Sequence, residues 1–196
     1  MQLITRHLIA GAFNNAWANH RLLGACGQLT QQEFAATRVS FFPSIKATLN
    51  HNLTVDAYYQ DAMQRSLRGD APHPDSRAFF NPEEPYESCA ELTRAQEVLD
   101  RELIALCQSL AADETLLEFI VEVSRSTRID REPLHRLLAH LFEHQTHHRG
   151  QVHAMLAGTG VPPPQLDEFY CANDAERRVE DFRVLGFSET TIWQTG

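Results

Sequence analysis

His140-Leu-Phe-Glu-His144-Gln-Thr-His147-His148-Arg-Gly-Gln151 gathers four of the chain's ten histidines into nine residues. Leu137, Leu138, Leu141 and Phe142, then Val152, Met155 and Leu156, recur around it at the 3.6-residue spacing of an amphipathic helix. Residues four apart on a helix lie about 40° apart around its axis, so His144 and His148 aim their imidazoles at one point, as two ligands of a metal ion must. His140 extends the same ridge one turn earlier. His147, about 100° round from His148, points elsewhere.

The H-x-x-x-H spacing is that of zinc proteases, but Gln145 stands where they carry the glutamate that serves as general base. An amide takes up no proton near neutral pH, so peptide hydrolysis by that route is disfavoured. Glu143 sits one position off, on a different face, and a metal site still needs at least a third ligand.

Working outward, Asp130 followed by Glu132 and Pro133 is predicted to cap this helix, and Gly158 and Gly160 to stop it after Ala157, ahead of the stiff Val161-Pro-Pro-Pro164. Upstream, the alternation of Leu117, Phe119, Val121 and Val123 predicts a short strand or hairpin between Ala112 and Asp130. Leu92, Ala95, Leu99, Leu103, Leu106 and Leu110 predict a helix from about Glu87 to Leu110. The glycine and prolines of 67–85 make an irregular loop that leaves His73 exposed. Ile45, Leu49, Leu53 and Tyr58 mark a helix from Ser44 to about Arg65. Leu8, Phe13, Trp17, Leu22 and Leu23 mark another over about 3–29, followed by a T-x-x-E box at Thr30. Beyond Gln165, a short helix is expected around 175–183, with Phe187 and Trp193 laid against the rest.

The architecture read from this pattern is all-α: a four-helix bundle with a short strand or hairpin before the last long helix. Residues 1–170 form the bundle, and 171–196 a C-terminal segment packed on the same domain. His51 lies in the middle of the second long helix, which, packed beside the His144/His148 helix, can supply a third imidazole. Lone histidines such as His7 and His20 are more often solvated or hydrogen-bonded than ligating.

At 196 residues, 43% apolar, the chain suits one domain. Its net charge of −9, without a lysine or arginine cluster longer than a pair, argues against nucleic acid or an anionic membrane as partner. With no charged leader before an apolar run and no long apolar stretch, the expected location is cytoplasmic. Cys26, Cys89, Cys107 and Cys171 are scattered without a C-x-x-C pair and read as reduced thiols.

Four ordered segments together resemble the DinB family of bundle metalloproteins (DinB/YfiT-like): Phe13-Asn-Asn-Ala-Trp17-Ala-Asn-His-Arg-Leu22, Phe41-Phe-Pro-Ser-Ile-Lys-Ala-Thr-Leu-Asn-His51, His144-Gln-Thr-His-His148-Arg-Gly-Gln151, and Gly160 through Tyr170. The resemblance covers roughly 1–170. It implies a divalent metal on His51, His144 and His148, zinc first, with nickel or iron as alternatives, and a homodimer. The Lys46 region and the tail from Tyr170 depart from commoner members. Members of understood chemistry are thiol-dependent transferases and isomerases, which implies a metal-dependent enzyme of thiol-transferase type that acts on a small molecule with a low-molecular-weight thiol. His147 or His140 would then be candidates for a base beside the metal. The alternatives are a metal-dependent hydrolase and a non-catalytic, stress-related metal-binding module. A closed four-ligand site would favour the module and an open three-ligand site catalysis.

Overall fold

A computed structural model describes residues 3–193. In chain order it contains α1 (Leu3–Cys26), a five-residue α2 (Gln31–Ala35), α3 (Ile45–Arg68), α4 (Cys89–Ser109), a hairpin of β1 (Ile120–Ser124) and β2 (Ile129–Pro133), and α5 (Leu134–Leu156). A 3-10 segment at Ala172–Arg178, α6 (Val179–Leu185) and α7 (Glu189–Trp193) follow. α1 packs on α4 and α5, and α3 packs on the same two, so each long helix has two neighbours round a square and the bundle expectation holds. Among the described residues no helix is long and apolar enough to cross a membrane.

Local chemistry sets the helix ends. At α2 the Thr30 hydroxyl accepts from the Glu33 N–H, while Glu33 Oε2 accepts from the Thr30 N–H at 2.9 Å, the reciprocal box that the sequence predicts. Ser88 and Glu91 make a second such box, which starts α4 just beyond the expected Glu87. Ser44 caps α3 through the Ala47 N–H, and Pro43 sits outside the helix. Gly69, at φ 74°, closes α3 about one turn later than expected by returning its N–H to the Arg65 and Ser66 carbonyls.

The hairpin brings two corrections. Leu117 lies in a 3-10 turn (Glu114–Glu118), and pairing begins only at Ile120, opposite Pro133. Asp130 does not cap α5: it lies in β2, opposite Val123, and accepts from Arg125 and Arg128. Pro133 stands at the N-cap of α5 and offers no side-chain cap. The Leu134 N–H donates to the Phe119 carbonyl at 2.9 Å, so the residue just before β1 satisfies one of the four donors that a helix start leaves open.

α1 buries residues on nearly every side, because the C-terminal elements cover the face that α4 and α5 leave open. Trp17 donates to Asp181 at 3.0 Å, Arg21 Nε to the same carboxylate at 2.6 Å, and Phe187 meets Phe13 edge-on with centroids 4.8 Å apart. Trp193 packs near Phe169, as expected; residues 194–196 of the predicted tail lie outside the described residues. The short helix expected at 175–183 is split between the 3-10 segment and α6, and the buried Arg178 ties the two to Glu168 and Glu189.

Two apolar clusters fill the bundle, one around Trp17, Met63, Leu103 and Leu138, the other around Leu22, Ile45, Leu92 and Val152. A polar layer occupies the level between them on every long helix, each contributing an i,i+4 pair: Asn15 and Asn19, Asn52 and Asp56, Gln96 and Asp100, Gln145 and Arg149. Asp100 Oδ1 accepts from Asn15, Asn19 and Gln96, Gln96 also reaches Asp56, and Arg149 Nη1 donates to Asn15, Asn19 and Gln145. Burial pushes the Asp56 carboxyl up to about 6. Burial, and then the charge on Asp56, push Asp100 up to about 7.

Candidate metal centre

His51 reaches the site from α3, and His144 and His148 from α5. The packing of these two helices on one another decides whether histidines 93 residues apart in sequence can meet. They do: one ring nitrogen from each of the three lies within 4.8 Å of the others, and the Nε2 atoms of His51 and His144 face one another at 3.2 Å. Two nitrogens bound about 2.0–2.1 Å from one tetrahedral ion lie roughly 3.3 Å apart, so this spacing fits a metal of zinc's size. Among the described residues no aspartate, glutamate or cysteine joins the cluster.

The protonation states also suit ligation. Burial, followed by the neighbouring imidazoles, holds His144 down to about 3. Burial and then His148 hold His51 down to about 4, and burial lowers His148. All three are therefore neutral near pH 7, with lone pairs available. Gln151 Oε1 lies 2.9 Å from His148 Nδ1, which makes that nitrogen the N–H donor and leaves Nε2 to face the cluster. His144 Nδ1 is buried and among the described residues has no hydrogen-bond partner, so nothing holds that ring from behind as Gln151 holds His148.

Phe42, from the loop before α3, lies over the histidines, its ring centroid 4.4 Å from His51 and 5.6 Å from His148. It lies in the Phe41–His51 segment of the family resemblance, but no periodicity gave it a place at the site, because it belongs to no helix or strand. His140 stands outside the cluster with its ring edge-on to Tyr59, and 6.1 Å from that of His144. His147 is exposed, and the other end of the Gln151 amide, Nε2, lies 3.1 Å from its Nε2. One amide thus connects His147 to His148. His73 is half-buried against Phe79 and not fully exposed, because the 3-10 turn at Ser76–Phe80 folds that aromatic ring back over it.

Gln145 points away from the cluster. It is fully buried in the polar layer, where Oε1 accepts from Asn52 at 2.6 Å and from Arg149 at 3.2 Å. The residue that breaks the protease motif therefore belongs to the bundle interior. Glu143 is exposed beside a groove on the α1 side of α5. Cys26 and Cys107 are buried thiols held protonated by burial, and Cys171 is exposed.

A model of the DinB family matches residues 11–179. Protein DinB of Bacillus subtilis (strain 168) is 26% identical over 159 residues, which span 78% of this chain and 86% of that protein.

Proposed function

The chain belongs to the DinB family, and from that premise we propose that it binds one divalent metal ion on His51, His144 and His148 and is an enzyme of thiol-transferase type acting on a small molecule. One observation carries this reading: three neutral imidazoles converge with no fourth protein ligand among the described residues, which is the donor set of an open site. When bound there, a zinc, nickel or iron ion supplies a Lewis acid that favours the thiolate form of a coordinated low-molecular-weight thiol.

The chain's own residues set the conditions for that chemistry. Gln151 orients the His148 ring, and Phe42 shields one side of the cluster from water. The part of a base beside the metal falls to His147, whose exposed ring lies next to the Gln151 amide. A cleft of about 490 Å³ lined by Thr37, Arg38, Val39, Ser40 and Gln151 gives a small substrate a way towards the same edge. Metal-dependent hydrolysis fits less well, since among the described residues no carboxylate stands in the cluster to act as a base and Gln145 is turned inward.

Elemental analysis of the purified protein should find about one divalent metal per chain, lost in His51→Ala, His144→Ala and His148→Ala and kept in His73→Ala. Full occupancy in His51→Ala would remove the third ligand. The cobalt-substituted protein should gain a sulfur-to-metal charge-transfer band with cysteine or glutathione, and His148→Ala should not. A cobalt protein that ignores thiols and hydrolyses esters would reverse the choice between transferase and hydrolase.

A further inference from the structure

On the far side of α5 from the histidines, two contiguous hollows of about 360 and 420 Å³ run between α1 and α5 beneath the 165–170 segment. Both are lined by Asn14, Thr146, Arg149, Leu166 and Asp167, so they form one groove. Arg149 is only 5% exposed, and its guanidinium is unevenly used. Nη1 makes three hydrogen bonds, to Asn15 at 2.5 Å, Asn19 at 3.1 Å and Gln145 at 3.2 Å, all into the polar layer. Nη2 makes a single long contact, 3.4 Å to Thr146 Oγ1, and among the described residues Nε makes none. The Nε–Nη2 edge is the side of a guanidinium that forks onto a carboxylate.

The polar layer does not give this cation a direct partner. Asn15 and Asn19 stand between Arg149 and Asp100, and among the described residues no carboxylate oxygen lies within hydrogen-bond reach of the guanidinium. A buried guanidinium is ordinarily paired. Asn14 lines the same groove, and its Oδ1 is buried and among the described residues has no hydrogen-bond partner.

We propose that this groove is a second binding site, separate from the histidine cluster, which takes a small organic monocarboxylate with its carboxylate on the Nε–Nη2 edge of Arg149. Phe142, Leu166, Phe169 and Tyr170 offer the ligand's remainder an apolar and aromatic wall. Glu143 and Asp167 on the rim repel a second negative charge, which selects one carboxylate over a phosphate dianion or a dicarboxylate. Asn14 Oδ1 is an acceptor for a hydroxyl or ammonium group on the same ligand.

The test follows the Arg149 Nε–H resonance by NMR during titration with phenylacetate, phenethylamine and inorganic phosphate. Phenylacetate should move the signal saturably, with half-saturation on the order of millimolar as befits a ligand of about ten heavy atoms. Phenethylamine, which lacks the carboxylate, should not move it, and phosphate should act at least about tenfold more weakly. Because a carboxylate can also ligate a metal, the titration is repeated on His51→Ala, where the response should persist whatever becomes of metal binding. Gly150 lines the groove, and a Cβ there would meet no atom within 4 Å, so Gly150→Phe is tolerated sterically, sets a ring against the groove beside Arg149 and should abolish the response. No saturable shift, a shift lost in His51→Ala, or a shift that survives in Gly150→Phe would each overturn the assignment.

Discussion

Asp100→Asn is the sharpest probe of the polar layer. The Asp100 carboxyl is completely enclosed, and burial followed by the charge on Asp56 pushes it up to about 7 from an ordinary 3.8. Between about pH 5.5 and 7 the folded wild type therefore holds a proton that the unfolded chain has released. Its stability falls as pH rises, by about 1.4 kcal/mol per unit, or about 2 kcal/mol over that window. An asparagine has no such proton. It keeps an oxygen for the three amides that meet Asp100 Oδ1, but sets an N–H₂ against the Asn19 amide that now donates to Oδ2 at 3.3 Å. That donor–donor clash costs about 1–3 kcal/mol at any pH. The variant should accordingly be less stable than wild type at about pH 5.5, with the deficit shrinking by about 2 kcal/mol by about pH 7.5. Urea unfolding of both metal-free proteins at about pH 5.5, 6.5 and 7.5 measures it, and the histidine titrations common to both cancel in the difference. A deficit that stays constant or widens as pH rises would refute the raised carboxyl.

Three further outcomes are expected. Relative to His144→Ala, the metal-free wild type should lose about 1 kcal/mol as pH falls from about 6.5 to 4.5, because burial and then its neighbours hold His144 at about 3 while the unfolded imidazole takes a proton near 6.5, the figure being halved for the ring's partial exposure; equal pH slopes for the two proteins would contradict it. Gln151→Leu removes the acceptor of the His148 N–H at 2.9 Å and should weaken zinc binding about 10- to 100-fold in a chelator competition, whereas an unchanged Kd would leave the amide no part in positioning the ring. Ser88→Ala should cost about 1 kcal/mol in urea unfolding by opening the box at the start of α4, and a loss below about 0.3 kcal/mol would show that water replaces the cap.

The long helices and the pairing of His144 with His148 were legible because both depend on repetition: apolar spacing fixes which faces turn inward, and i,i+4 spacing fixes which imidazoles share a face, whereas His51, 93 residues from His144, rested on the topology of the bundle and on the family resemblance. Asp130 misled because it precedes an apolar run and so looks like a cap, whereas the pairing of β1 with β2 claims its backbone and two arginines claim its carboxylate. Phe42 and the groove were not legible, since each is made where a loop is laid over a helix. The polar layer does have a signal in the sequence. Asn15/Asn19, Asn52/Asp56, Gln96/Asp100 and Gln145/Arg149 interrupt four apolar faces at i,i+4 spacing, and a polar pair in register on all four helices reads as one buried level. Gln145, which in the H-x-x-x-H pattern reads as a missing catalytic glutamate, belongs to that level.

The clasp of α6 on α1 also orders events in time. Trp17 and Asp181 are separated by 164 residues, so on a ribosome the first helix emerges long before the segment that covers its outer face. At about 5–20 residues per second that interval is roughly 8–33 seconds, far longer than the microseconds a helix needs to form. Throughout it, Phe13 and Trp17 show water an aromatic strip that the finished protein hides beneath Phe187 and Asp181. The nascent chain is therefore stickier than the mature one, and a truncation ending before Val179 would make that passing state permanent: such a chain should be captured by chaperones during synthesis and aggregate after release, even with all four long helices and every histidine of the cluster intact.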